Sequence, residues 1–364
     1  MFHGMAYKSG EDVRIPREWG DFVERLAGSL GVSATVYAPL DRGPRQRAPD
    51  FSLGSSWRLS FSSGPPIPGG ALMPFLRDLR CLDAAFLLLP GLRGSSRPGP
   101  AARRRSRTSS TTVWGGGMWD PPGLVTRLRA HLFRRLEPFA LRGARGATLA
   151  GVELEDRVAN WCEVLPVAPI TALQAPPEGD QQKKRTVLFV GSLSERKGIP
   201  ELLTAWERMP RRIRSGWELK IVGAGALSGD VARFAQHRPD CAAPGYVPHG
   251  PELYRYYEDA AILVLPSHNE GFPRVLLEGA AYGCALATTQ LAGVAAEFNG
   301  SYSPQWLVPG DVASLIDALS ALMVGAWPAA GKDARAWFLL NWSERSPSSE
   351  TAAFIRTQIP GLAA

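Results

Sequence analysis

Cysteine is scarce in this 364-residue chain. Its four residues, Cys81, Cys162, Cys241 and Cys284, stand far apart, and none forms a CxxC pair. A disulfide framework, a zinc ribbon and an iron–sulfur site therefore lose support, and a reducing compartment is expected. Long apolar runs are also missing. The best candidate, Ala84 to Leu92, is broken at Pro90 and Gly91, far short of the roughly 20 residues that span a bilayer. Charged residues follow the opening Met1-Phe2-His3-Gly4-Met5 almost at once, which is unlike a signal peptide. Glycine and proline are plentiful but show neither a collagen period nor an internal repeat.

Hydrophobic residues make up 45% and charged residues 21% of the chain. That composition is globular and excludes a wholly disordered or coiled-coil protein. The length suggests two domains. Charge is uneven. Residues 1–180 carry 23 Lys and Arg against 17 Asp and Glu, whereas residues 181–364 carry 18 against 17. The basic front half is compatible with an anionic partner such as a lipid surface, a phosphate or a nucleic acid. Lys8 is its only lysine. A biased gene composition yields the same excess of Arg, Ala, Gly and Pro, so the sign of the charge carries little weight.

The front half predicts a helix over 18–30, with Phe22, Leu26 and Leu30 on one face, and strands near 34–40, 84–89, 111–114, 146–149 and 163–167. Gly94 to Ser110, with Arg103, Arg104, Arg105 and Arg107, reads as an exposed loop. A polar Pro-, Gln- and Lys-containing stretch over 172–184 reads as a linker. Behind it the pattern is cleaner. Strands at 186–190, 218–222, 261–265 and 285–288 alternate with helices at 199–209, 228–236, 252–258, 274–281 and 312–323. Such alternation argues for a parallel sheet covered on both faces.

Pro266-Ser267-His268-Asn269-Glu270-Gly271-Phe272-Pro273-Arg274 follows one of these strands, and a helix begins at its end. Pro273 suits the first helical turn because it has no N–H to leave unpaired. The N–H groups of Gly271, Phe272 and Arg274 can face an anion there, aided by the helix dipole. Glu278 lies roughly 7–8 Å further along the helix. Two carboxylates thus bracket an anion-binding helix start, a layout that fits a diphosphate with a sugar at each end. Taken singly, each glutamate reads equally as a loop or surface carboxylate. Gly191-Ser192-Leu193-Ser194-Glu195-Arg196-Lys197-Gly198 follows the preceding strand. Its glycine admits a ligand to the backbone, Lys197 offers a point charge and Arg196 a forked donor. Gly223-Ala224-Gly225 lacks the full dinucleotide fingerprint.

Residues 185–320 resemble the donor-binding domain of the retaining, nucleotide-sugar-dependent glycosyltransferases of family 4. The similarity rests on VGSLSERKG (190–198), LKIVGAG (219–225), LVLPSHNEGFPRVLLEGAAYG (263–283) with its Glu-x7-Glu, and NWSE (341–344). The resemblance implies an α/β protein of GT-B type, two facing Rossmann-like domains with a nucleotide-sugar cleft between them. The expected organisation is an acceptor-side domain over 1–171, the linker 172–184, a donor-binding domain over 185–330, and a terminal helical region over 331–364 packing back on the body.

By the same resemblance Glu270 and Lys197 are the catalytic pair. Glu270 would meet hydroxyls of the transferred sugar, and Lys197 would neutralise the leaving diphosphate. Gly191, Ser192, Arg196, Gly271, Phe272, Pro273, Arg274 and Glu278 would hold the donor, with Glu278 on the ribose hydroxyls. No metal and no separate cofactor are implied, in keeping with the lack of an Asp-x-Asp triplet. Ser192 stands where many members carry arginine, so one phosphate cation is missing or Arg196 replaces it. The family's glycine-rich acceptor loop has only MAYKSG (5–10) as a counterpart.

A basic, periodic helix near 124–141 is compatible with peripheral membrane contact, or with packing into its own domain. The arginine cluster at 103–107 has no interleaved aromatics, and no nucleic-acid partner is expected. Trp114, Trp119 and the glycines between them suit either an acceptor wall or a tight turn. The sequence thus points to a cytoplasmic sugar transferase, at the inner membrane face or free of it, acting on a saccharide or lipid-linked acceptor. A nucleotide-sugar epimerase and a non-catalytic nucleotide-sugar-binding homologue are the alternatives.

Overall fold

The structure is a computed structural model. It describes residues 6–9, 12–15, 17–31, 35–41, 51–52, 58–62, 86–90, 110–114, 146–149, 163–166, 175–176, 183–270, 273–298 and 302–358. The chain divides into two compact units, residues 1–171 with 346–364, and residues 172–345. The arginine cluster, the basic stretch 124–141, Trp119, Cys81, Cys162, Gly271 and Phe272 all lie outside the described residues.

In the first unit, β1 (Ala6–Ser9) and β2 (Asp12–Ile15) pair antiparallel, with Ser9 opposite Asp12. Residues 6–9 of the MAYKSG segment are therefore a strand paired antiparallel with the next one, and Met5 and Gly10 lie outside the described residues. β1 also runs parallel to β3 (Thr35–Asp41). With β4 (Phe51–Ser52) and β5 (Arg58–Ser62) they form a five-stranded sheet in the order β4-β2-β1-β3-β5. β6 (Phe86–Pro90), β7 (Ser110–Trp114), β8 (Gly146–Leu149) and β9 (Glu163–Pro166) form a parallel four-stranded sheet in chain order. The helix α1 (Arg17–Leu30) buries Phe22, Leu26 and Leu30 at the predicted spacing of four, because such residues share one face. Among the described residues, what packs on them comes from the far end of the chain: Ala352 and Ile355 of the helix Pro347–Gln358. The expected terminal region 331–364 is thus divided. Its last helix belongs to the first unit, and residues up to 345 to the second.

The second unit holds one six-stranded, all-parallel sheet. Its strands are β10 (Lys184–Val190), β11 (Glu218–Val222), β12 (Cys241–Gly245), β13 (Ala260–Leu265), β14 (Ala285–Thr289) and β15 (Gln305–Leu307). The spatial order is β12-β11-β10-β13-β14-β15. β13 is buried at every position and β10 from Thr186 onward, so both read as continuous apolar runs. Counted within this unit the order is 3-2-1-4-5-6, the doubly wound arrangement. Its direction of winding reverses between β10 and β13, and ligands of such sheets bind beyond the strand ends at that point. The helices α2 (Ile199–Arg208), α3 (Arg211–Arg214), α4 (Ser228–Gln236), α5 (Pro251–Asp259), α6 (Arg274–Ala281) and α7 (Ala292–Glu297) fall between the strands.

Among the described residues one helical run, Val312–Asn341, is by length and composition apolar enough to cross a membrane, with an 18-residue window of mean hydropathy 1.5. It was not expected from the apolar runs alone. The run is two helices, α8 (Val312–Ala321) and α9 (Trp327–Asn341), with helical geometry lost at Gly325. Both bury apolar residues, among them Leu315, Leu319, Trp337 and Phe338. Trp337 packs on Phe298 with ring centres 4.4 Å apart and on Trp342 at 6.4 Å, so these tryptophans fix the end of the unit.

Candidate functional site

Three loops converge at the carboxyl ends of β10, β11 and β13. The backbone does most of the joining. The N–H of Gly191 donates to Val222 at 3.0 Å and the N–H of Leu193 to Ala224 at 3.1 Å. A side chain on Gly223 would place its Cβ 1.8 Å from the Gly191 carbonyl oxygen, and one on Gly225 would stand 2.3 Å from that of Leu193. Gly-Ala-Gly is therefore a packing device between two loops, which explains why it lacks the rest of a phosphate-binding fingerprint. Gly198, at φ 71°, is comparably tight against the third loop: a Cβ there would lie 2.0 Å from the Pro266 carbonyl oxygen. Only glycine meets both the left-handed backbone and that approach.

The side chains finish the seam. Lys197 donates to Glu270 Oε1, and both side chains are nearly buried, at 13% and 10% exposure. The two residues singled out as catalytic thus meet directly across the switch point between β10 and β13. Arg196 Nη1 donates to the Asn269 carbonyl at 2.9 Å and stands 3.9 Å from Glu270 Oε1. His268 donates its backbone N–H to the Arg196 carbonyl at 2.9 Å, and its Nε2 to Glu201 Oε1 at 3.0 Å.

Glu278 lies on α6, which packs so closely on the sheet that a Cβ at Gly279 would come within 2.5 Å of Leu263 Cδ2. The carboxylate is buried to 1% exposure and has three partners. Tyr257 donates its hydroxyl to Oε2 at 2.5 Å, Arg274 its Nε–H to Oε1 at 2.8 Å, and His249 its Nε2–H to Oε1 at 3.2 Å. Burial pushes the Glu278 carboxyl upward. The Arg274 guanidinium, His249 and the Tyr257 hydroxyl together outweigh it and hold the group at about 2. The Tyr257 hydroxyl is raised well above its usual range, first by burial and then by Glu278. Aromatic rings surround the carboxylate network: Tyr254 stacks on Tyr282 at 5.8 Å, and His249 meets Tyr254 edge-on at 5.3 Å.

Pro273 is the residue immediately before α6, in extended geometry, and the helix starts at Arg274. The proline expected within the first turn is its cap, because the pre-helical residue keeps β-region dihedrals. Glu270, Lys197, Gly191, Ser192, Arg196, Pro273, Arg274 and Glu278 all belong to the loops and helix following β10 and β13. His249, Tyr257 and Glu201 carried no role in the sequence reading. A faint signal existed for Tyr257, four residues after the buried Leu253 on the inner face of α5. No group of three or more His, Cys, Asp or Glu suited to a metal occurs among the described residues.

The fold is α/β of the GT-B glycosyltransferase type. Sucrose-phosphate synthase from Thermosynechococcus elongatus superposes with a TM-score of 0.68 at 14% identity, covering 97% of this chain and 95% of that one. The Anabaena protein HepE, solved in complex with UDP and glucose, gives a TM-score of 0.59 at 12% identity over 83% of this chain and 86% of its own. In sequence, residues 184–324 match the family described as Glycosyl transferases group 1. An uncharacterized glycosyltransferase of Haemophilus influenzae is 33% identical over 104 residues, 29% of each chain. The match thus spans under a third of that relative's length and falls on less than half of this chain.

Proposed function

We propose that this chain is a glycosyltransferase that moves a sugar from a nucleotide-sugar donor to a saccharide or lipid-linked acceptor, with retention of anomeric configuration and without a metal ion. The observation that carries this reading is the Lys197–Glu270 pair, set at the point where the sheet reverses its winding. An ammonium and a carboxylate side by side match the two halves of the substrate's reacting end. Lys197 takes the phosphate oxygens and neutralises the charge that grows on them as the glycosidic bond breaks. Glu270 accepts hydrogen bonds from hydroxyls of the transferred sugar. The acceptor hydroxyl attacks on the face the diphosphate leaves, and a leaving phosphate oxygen takes its proton. Gly191 and Ser192 line the phosphate end, together with Pro273 and the backbone of Arg274; Gly271 and Phe272, which the resemblance assigns to the same end, lie outside the described residues. The resemblance assigns Glu278 to the ribose hydroxyls; its carboxylate is buried among Tyr257, Arg274 and His249, so contact with a ribose requires it to be uncovered. The reaction belongs in the cytoplasm, where nucleotide sugars are made, with the basic segment 124–141 as a contact to the inner membrane face.

The test is transfer from UDP-glucose, UDP-N-acetylglucosamine, GDP-mannose and ADP-glucose in the presence of chelator, with the anomeric configuration of the product read by NMR. Transfer with retained configuration supports the reading, and inversion or a strict metal requirement removes those parts of it. Epimerised nucleotide sugar in place of transfer would make the protein an epimerase. Tight binding with no turnover of any kind would make it a binding protein.

A further inference from the structure

The loop after β10 places two cations side by side, and they face different things. Lys197 is on Glu270. The guanidinium of Arg196 donates to the carbonyl of Asn269, the residue before Glu270, at 2.9 Å. Its distance to Glu270 Oε1, 3.9 Å, is beyond hydrogen-bond reach. A second tie runs the opposite way, from the His268 N–H to the Arg196 carbonyl. A third joins the His268 ring to Glu201 in the first turn of α2. Beside them Gly198 leaves no room for a side chain against Pro266. The segment 266–270 is thus held from three directions, with the last tie one residue before the carboxylate that would meet the sugar.

We propose that Arg196 and His268 are positioning residues for Glu270. They fasten the loop 266–270 to the loop 191–198 and so fix where the Glu270 carboxylate stands, and Arg196 does not substitute for the phosphate cation absent at Ser192. The proposal rests on the donor site described above. A charge-assisted bond to a carbonyl is among the stronger kinds, and it holds Asn269 only while the guanidinium stays in the seam. Reaching a phosphate from position 196 would require Arg196 to release Asn269. Lys197 already stands at the ligand end and needs no such movement.

The experiment compares Arg196→Ala, Arg196→Lys, His268→Ala, His268→Gln and the double variant Ser192→Arg/Arg196→Ala, with Glu270→Gln as reference. UDP affinity is measured by calorimetry and UDP-glucose turnover by initial rates. Arg196→Ala should hold UDP within about twofold and lose about tenfold in kcat, the loss of one charged hydrogen bond. Arg196→Lys and His268→Gln, which keep a donor, should recover part of the rate, and the added Ser192→Arg should recover none. The proposal is overturned if Arg196→Ala weakens UDP tenfold or more and Ser192→Arg restores it, because Arg196 is then the phosphate cation. A crystal structure of Arg196→Ala without ligand supplies an arm that needs no substrate. Glu270 should leave Lys197, and a carboxylate still in place overturns the positioning role. Normal turnover in Glu270→Gln would sink the donor-site reading itself. Normal turnover in Arg196→Ala beside an impaired Glu270→Gln sinks the positioning role alone.

Discussion

Arg274 and Glu278 stand one helical turn apart on α6, and the Arg274 Nε–H reaches Glu278 Oε1 at 2.8 Å. With His249 and Tyr257 it holds a fully buried carboxyl at about 2, against an ordinary value of 4.5. A carboxyl depressed in the folded state stabilises the fold above its unfolded value. That contribution is lost as pH falls from about 4.5 to about 2 and amounts to about 3 kcal/mol. Urea unfolding at a series of pH values should show the decline, and Glu278→Gln should flatten it while lowering stability at pH 7. An unchanged acid slope in the variant would place the titration on another group.

Lys197→Ala should weaken UDP binding by about 10–150-fold, the range for one charged hydrogen bond. Calorimetry in chelator measures it. Unchanged affinity would put the phosphates elsewhere.

The two glutamates should separate. Glu270→Gln should leave UDP affinity intact and reduce turnover of UDP-glucose, since only the intact donor carries a sugar to that end. Glu278→Gln should weaken UDP and UDP-glucose alike, because both carry the ribose. The amide keeps the shape and replaces one acceptor oxygen by a donor group. Circular dichroism beside the titrations checks that both variants fold. A variant of Glu278 that binds UDP normally would remove the ribose from α6.

Gly198→Ala should destabilise the second unit by about 2–4 kcal/mol and impair UDP binding with it. The methyl would meet the Pro266 carbonyl at 2.0 Å in a left-handed backbone. Gly229→Ala is the control. It lies in α4 with nothing within 4 Å and should stabilise by up to about 1 kcal/mol. Denaturation midpoints compare the two, and equal shifts would contradict the close approach.

The sequence made some elements readable to the residue and left others invisible, for physical reasons. Gly146–Leu149, Ser228–Gln236 and Arg274–Ala281 match their expected bounds because Gly, Pro or a change of hydrophobic period marks their ends. Cys241–Gly245 was missed, since Ala, Pro and Gly at a sheet edge give no apolar run. Three-residue Gln305–Leu307 is too short for any periodicity. Lys197 and Glu270 were legible as residues with a chemistry, but their contact spans 73 positions and is made by sheet topology. The partners of Glu278 were hidden for the same reason, as His249 and Tyr257 come from 29 and 21 residues before it.

The helix Pro347–Gln358 covers Phe22, Leu26 and Leu30 of α1, although the whole of residues 172–345 lies between them in the chain. This makes the second unit an insertion within the first. During synthesis residues 172–345 emerge as one contiguous stretch and can fold as soon as they are complete. The first unit begins earlier and finishes later, because Ala352 and Ile355, which pack on the α1 face among the described residues, arrive only after the second unit has been made. A growing chain therefore carries that apolar stripe without these two partners for the time needed to make more than three hundred residues. The α1 stripe thus meets these partners only after the inserted unit has been made.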